Sequence, residues 1–358
     1  MLRGIMVLNA AFRTQTVGLD IGSSAVRAVV LKKGRSAWSL VAAAEESLPE
    51  NAIQDGVTLE PAIVSGAVTR LIDSLRLKKA RVASALSGHA VIVKRLWLPT
   101  LEESDLDDRI PWEAEAHIPF DLNECQLDYR VVSAGTDRSR AGVDVLLVAA
   151  KKEQISERTM VIEHSGRTPA VIDVEAFALA NAYQMNYPDR TDALTALVHV
   201  GRSGTIVCLL ERNDPVFSRH IPIGGQGHVD ALMRELGSEA TEDLARQILQ
   251  GKQPKRANDK HIATALREAS AHLASEIRTT IEFYRESAEF DRLNRVAVSG
   301  GAWQAAGLFE LLKNELGATV DVFDPFRQVG NAGQVGGEST GPAYAVAVGL
   351  AMRQDGDR

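Results

Sequence analysis

Apolar residues gather first at residues 16–31, TVGLDIGSSAVRAVVL, in two runs separated by the small residues Gly22, Ser23 and Ser24. Short apolar runs bounded by turn residues predict strands. The same shape returns at residues 195–210, TALVHVGRSGTIVCLL. Superposing Gly22 on Gly201, a shift of half the chain, sets Asp20 over His199. Both hairpins continue alike. Gly34 leads into a strand over 37–45, and the turn Arg212-Asn213-Asp214-Pro215 leads into a strand over 216–223. Further on, a strand over 296–299 precedes a helix over 303–316, and a strand over 319–323 stops before Pro325. A period of half the chain means two lobes built alike, because solenoid repeats recur every 20 to 50 residues or so. Strands alternating with helices predict an α/β fold of helix-covered sheets.

Two stretches interrupt this pattern. Residues 84–164 hold strands over 91–98, 126–133 and 143–150. An acidic helix start (Glu102, Glu103, Asp105, Asp107, Asp108) lies among them, and a helix over 152–164 closes the stretch at Gly166. Residues 226–291 read as helical. Ile262, Leu266, Ala269, Leu273, Ile277, Ile281 and Tyr284 recur every three or four positions, which makes one apolar stripe. The polar run 251–260, with Lys252, Lys255, Arg256 and Lys260, reads as an exposed loop between helices.

The 358 residues are 45% hydrophobic and 24% charged, with 40 Lys and Arg against 47 Asp and Glu, a net charge of −7. That length supports two cores, and the acidic balance argues against nucleic-acid binding by bulk positive charge. Two cysteines, Cys125 and Cys208, cannot build a disulfide framework, which favours a reducing, cytoplasmic setting. No run reaches the roughly 18 apolar residues of a spanning helix; residues 343–352 read as one buried helix. Asn9 and Arg13 interrupt residues 1–15, which read as a leader outside the fold.

Candidate chemistry sits at the turns. Gly22 lets a ligand approach the backbone, and Ser23 and Ser24 offer hydroxyl and amide donors to phosphate oxygens. Asp20 can hold Mg²⁺ through water, since hard cations prefer carboxylate oxygens. Gly201, Ser203, Gly204 and Thr205 repeat the turn, so paired bends can face one another across a triphosphate. Gly300, Gly301 and Ala302 after one strand, and Gly225 before the helical stretch, suit close approach to a base or phosphate. At 171–175 a strand runs into a helix. There Asp173 or Glu175 can orient a water as general base; equally, Asp173 can cap the helix and Glu175 complement its dipole.

These motifs resemble the actin-like ATPase superfamily and, within it, the PilM family of type IV pilus assembly. The phosphate turn VGLDIGSSAVRAV carries the resemblance together with KRLWLP (94–99), WEAEAHIPF (112–120), LDY (127–129), LLVAAK (146–151), DVEAFALAN (173–181), IPIGG (221–225) and Ser299-Gly300-Gly301. It implies a duplicated, ribonuclease-H-like two-lobe fold with four subdomains. These are 1A (1–83, 165–192 and 340–358), 1C (84–164), 2A (193–225 and 292–339) and 2B (226–291). It further implies ATP with Mg²⁺ between the lobes, bound by the turn residues above with Arg27. Of the two carboxylates at 171–175, Glu175 is the candidate catalytic residue. The implied partners are the N-terminal cytoplasmic peptide of PilN, docking between 1A and 1C, and other pilus platform or motor proteins. They would hold the chain at the inner membrane without insertion of its own.

Three residues depart from the family pattern. His199 stands where the second phosphate turn carries Asp, Arg246 where a ribose-gripping Glu is expected, and Arg27 in place of Lys. The first two point to weak or absent ATP hydrolysis. A protonated His199 would bind phosphate directly but repel Mg²⁺. Rival readings are a nucleotide-free scaffold of the same fold, an FtsA-like division protein, a type II secretion platform protein, and a sugar or acetate kinase.

Overall fold

The computed structural model describes residues 16–35, 37–54, 56–77, 80–86, 88, 91–99, 106–134, 142–188, 194–237, 240–249, 259–287, 293–333, 335 and 340–353. The first half opens with β1 (Thr16–Ile21), β2 (Ala25–Lys33) and β3 (Trp38–Ser47), then the short pair β4 (Ile53–Gln54) and β5 (Val57–Thr58). Next come α1 (Pro61–Ser74), started by Pro61 where a missing N–H costs nothing, and β6 (Arg81–Leu86). A second group follows: β7 (Val91–Leu98), α2 (Leu106–His117), β8 (Cys125–Ala134) and β9 (Val143–Lys151). The chain returns through α3 (Lys152–His164), β10 (Thr168–Val174) and α4 (Glu175–Asn186).

The second half runs β11 (Leu194–Val200), β12 (Thr205–Glu211), β13 (Asp214–Ile221), α5 (Gln226–Leu236), α6 (Glu242–Leu249) and α7 (Asp259–Ser287). It closes with β14 (Leu293–Ser299), α8 (Leu308–Leu316), β15 (Thr319–Val322) and α9 (Ala345–Ala351). Its sheet order, β13-β12-β11-β14-β15, matches β3-β2-β1-β6-β10 of the first half strand for strand. Within each sheet the hairpin strands pair antiparallel and the later strands add in parallel. The echo in the sequence is a duplicated sheet.

Side-chain alternation distributes the core. Val17, Leu19 and Ile21 of β1 face α1 and α3, while Gly18 faces α9. In β11, Ala196, Val198 and Val200 face α7 and α8, and Leu197 faces the other way. That shared inner space is filled by α4 and α9, which pack against Val29, Leu31 and Ala43 of one sheet and Ile206 and Cys208 of the other. The two helices cross at Gly349, where a Cβ would come within 1.7 Å of Ala178 O. Asp20 and His199 end the inward-facing rows of their strands.

The structure corrects several expected boundaries. Arg212 and Asn213 both have positive φ (49° and 68°), so two residues make the hairpin turn and Asp214 already belongs to β13. Pro215 is tolerated because β13 is an edge strand with a register shift beside it. The helix expected from Trp303 starts at Leu308, after Gly307 in the left-handed region; residues 301–304 form turns. Lys260 is already helical in α7, whereas Lys252, Lys255 and Arg256 lie outside the described residues, as do Glu102, Glu103, Asp105 and 1–15.

Not all of 84–164 packs as one unit. Ser84 to Leu86 pair with β10, and Val161 and Ile162 of α3 enter the first core. Among the described residues of that stretch, the sheet β7-β9-β8 with α2 has a core of its own, around Leu96, Ile110, Val145 and Leu147. Among the described residues no helix is long and apolar enough to cross a membrane.

Candidate functional site

The turn after β1 is closed by Gly22 N–H donating to Ala25 O at 3.1 Å, and the turn after β11 by Gly201 N–H donating to Gly204 O at 2.8 Å. Because both turns end inward-facing rows, the two sheets bring them together. Ser203 Oγ donates to Ser23 Oγ at 3.0 Å. Around them lies a cavity of about 280 Å³. Its walls include Asp20, Gly22, Ser23, Ser24 and Arg27 from the first half, and His199, Gly201, Arg202, Ser203 and Gly204 from the second. Glu175 at the start of α4, Gly225 before α5, and Gly301 and Ala302 after β14 complete it, with Arg246 of α6 at one side.

Two expected ligand contacts serve packing instead. Thr205 is fully buried and its Oγ1 donates to Ile223 O at 2.7 Å. Gly300, at φ 101°, lies so close to β11 that a Cβ would meet Val200 O at 2.2 Å, and it is not on the cavity wall. Gly224 and Gly225 brace the second turn: Gly225 N–H donates to Gly201 O, and Gln226 N–H to Arg202 O. Asp173 neither caps α4 nor reaches the cavity. Its Oδ1 accepts from Val174 N–H, and Oδ2 lies 3.0 Å from Arg353 Nε.

Charge at the cavity floor is internally matched. Arg27 lies opposite Asp20 across β1 and β2, with Nη1 3.9 Å from Asp20 Oδ2 and Nε 2.6 Å from Glu45 Oε2. Arg158 of α3 is buried beneath, donates to Ile21 O at 3.4 Å, and balances both Glu175 and Asp20. Burial raises the Asp20 carboxyl above its ordinary range against the pull of Arg27 and Arg158. His199, buried with Nδ1 3.0 Å from Ser299 Oγ, is pushed down to about 3 by burial and then by Arg27. The ring is therefore neutral at physiological pH in the unliganded cavity, not the imidazolium that binds phosphate directly.

The paired turns bring Ser23, Ser24 and Ser203 to one cavity, a donor set that fits the phosphates of a nucleotide. Magnesium fits less well. Asp20 already faces two guanidinium groups, and a neutral imidazole at the equivalent position is a poor partner for a hard cation. Among the described residues no three His, Cys, Asp or Glu side chains gather into a metal site.

A second cavity, about 360 Å³, separates the small sheet from the first half. Alternation in β9 makes it: Val145, Leu147 and Ala149 pack on α2, so Leu146, Val148 and Ala150 face outward onto the cavity. Across from them stand Val171, Phe177 and Asn181 of β10 and α4.

The family description "Type IV pilus assembly protein PilM" matches residues 18–355. The chain belongs to the PilM family. A solved PilM–PilN type IV pilus biogenesis complex contains a chain 26% identical, at TM-score 0.81, with 95% of this chain and 98% of that one covered. Two more distant structures share the fold. The ethanolamine utilization protein EutJ of Carboxydothermus hydrogenoformans is 16% identical at TM-score 0.56, over 97% and 92% of the chains. MreB5 of Spiroplasma citri bound to AMPPNP is 12% identical at TM-score 0.54, over 95% of each.

In this PilM-family chain the sequence motifs acquire geometric reasons. Arg95 of KRLWLP reaches out of the small sheet: Nη2 donates to Asp144 at 3.0 Å and Nη1 to Glu211 Oε2 of the second half at 3.0 Å. Trp112, by contrast, is 81% exposed. Arg158 escaped the sequence reading. Its one signal was a cation three and four positions before Val161 and Ile162, on the buried face of α3.

Proposed function

We propose that this PilM-family chain is an adaptor of the type IV pilus inner-membrane platform with two binding functions. It docks the N-terminal cytoplasmic peptide of PilN in the 360 Å³ groove, and it holds ATP between its paired turns. The observation that carries the partner reading is the 95% coverage at TM-score 0.81 by a chain from a PilM–PilN complex. The groove suits an extended peptide. Outward residues of β9 give apolar contacts, while Gln126, Asp128 and Asn181 offer polar ones. Recruitment by a peptide would hold the chain at the cytoplasmic face of the membrane, beside other platform or motor proteins.

The nucleotide reading rests on the facing turns and on fold relatives such as MreB5, which is described as bound to AMPPNP. Hydrolysis is weak or absent in this reading. Glu175 is the carboxylate placed to orient a water, yet Arg158 holds its charge, and the Asp20 counterpart is a neutral His199. A nucleotide-free scaffold is the second reading, favoured by the internal matching of charge at the cavity floor.

Fluorescence anisotropy with a labelled PilN N-terminal peptide tests the first function. Wild type is expected to bind saturably, and Val148→Glu, which puts a charge on the outward face of β9, to lose binding with its thermal unfolding unchanged. Equal affinity in both would remove the groove from the account. Equilibrium dialysis with labelled ATP separates the nucleotide reading from the scaffold reading.

A further inference from the structure

The rim of the nucleotide cavity carries an arginine pair aimed at one point. Arg202, in the turn between Gly201 and Ser203, has Nη2 3.1 Å from Glu50 Oε1, and Arg246 of α6 ion-pairs with that same oxygen. Arg202 Nε donates to Gln226 Oε1 at 2.9 Å, which fixes its orientation. Glu242 Oε2 lies 2.9 Å from Arg246 Nη2 and 3.5 Å from Arg202 Nη2, behind the pair. Both arginines line the cavity and both belong to the second half. Glu50 comes from the first half, just after β3, and with Arg202 and Glu242 it lines a neighbouring cavity of about 530 Å³.

Two guanidinium groups converging on a single carboxylate oxygen form the geometry that also receives a phosphoryl oxygen. The Glu50 side chain is 40% exposed, so it can exchange its place for water at small cost. We infer that Arg202 and Arg246 form a phosphate subsite where the two cavities adjoin and that Glu50 is its built-in competitor. A ligand's phosphoryl group then takes the arginine pair, and Glu50 is released toward solvent. This rests on the cavity reading above but not on the ligand being a nucleotide, because the pair recognises the phosphoryl group alone. It also gives Arg246 a purpose. Where a ribose-gripping Glu is expected, this chain carries the opposite charge, satisfied by Glu50 of the first half and by Glu242 one turn earlier in α6.

Isothermal titration with ATP and, separately, with inorganic tripolyphosphate tests it on wild type, Glu50→Gln and Arg246→Gln. Glu50→Gln keeps the shape and removes the competing charge. It is expected to tighten binding of both ligands by about fivefold, the factor that about 1 kcal/mol represents. Arg246→Gln is expected to weaken both, with less salt dependence remaining. Unchanged or weaker binding in Glu50→Gln overturns the inference while wild-type ATP binding keeps the nucleotide reading. Tripolyphosphate tightening without ATP binding in any variant does the reverse. Absence of binding by both ligands in all three proteins overturns both.

Discussion

Ser23 and Ser203 meet hydroxyl to hydroxyl, at 3.0 Å, from equivalent turns of the two halves. The contact puts the two turns edge to edge in a closed arrangement. Both hydroxyls line the 280 Å³ cavity, so a phosphate chain held as proposed between the turns would require them to part.

A double variant makes that requirement measurable. Ser23→Cys with Ser203→Cys places two thiols where hydroxyl oxygens now lie 3.0 Å apart, and a disulfide would draw them to about 2.05 Å. Cys125 and Cys208 are buried and offer little competition. Mild oxidation is expected to cross-link the pair in the folded chain and to abolish ATP binding, which dithiothreitol restores. A folded chain that resists cross-linking would mean that the turns do not meet in solution.

The duplication was legible in the sequence because each turn is short and its flanking strands are apolar on both faces. Asp20 over His199 followed at once from that alignment. The partners of these residues were not legible. Arg158 reaches the cavity from α3, and Glu45 joins Arg27 from a third strand. Side chains that meet through tertiary packing leave no spacing signal. Gly300 and Thr205 misled for a related reason: a glycine or small hydroxyl at a turn serves close backbone packing as readily as ligand approach. The short hairpin at Arg212 and Asn213 was missed because Pro215 reads as a turn residue, although an edge strand accommodates it.

His199 makes stability depend on pH. Its folded value is about 3, against about 6.5 when unfolded, so the unfolded chain binds the extra proton first as pH falls. This term is absent above about pH 6.5 and destabilises progressively between there and about pH 3. At pH 5 it amounts to about 2 kcal/mol. Urea titrations at pH 7 and pH 5 should show wild type losing about that much more than His199→Asn. Parallel losses would contradict the buried, neutral ring.

Asp20 gives a test of the metal. Its carboxylate faces Arg27 and Arg158, and the equivalent position holds no second carboxylate. ATP affinity, measured by dialysis, is expected to change less than about threefold when magnesium is replaced by EDTA, under about 0.7 kcal/mol. Asp20→Asn is expected to retain binding, since it leaves Arg27 to Glu45 and to the phosphates. Loss of binding in EDTA and in Asp20→Asn together would restore the cation to the site.

Arg95 ties the small sheet to the second half, although the chain enters and leaves that sheet through the first. Its guanidinium spans Asp144 and Glu211, and Tyr284 of α7 donates to Glu211 Oε1 at 2.6 Å. The groove wall thereby connects to both halves, with Pro215 of β13 reaching the groove itself. Replacing Arg95 with Met leaves two partly buried carboxylates without their cation, at a cost of about 2 kcal/mol, below the range for fully buried pairs. Glu211→Gln should cost less in the Arg95→Met background than in wild type, because there the carboxylate has already lost its cation. Hydrogen exchange in β7 and β13 should accelerate in Arg95→Met while β1 and β6 stay protected. A double-mutant cycle with a coupling below about 0.5 kcal/mol would reduce Arg95 to a surface contact, and the groove would then move with the first half alone.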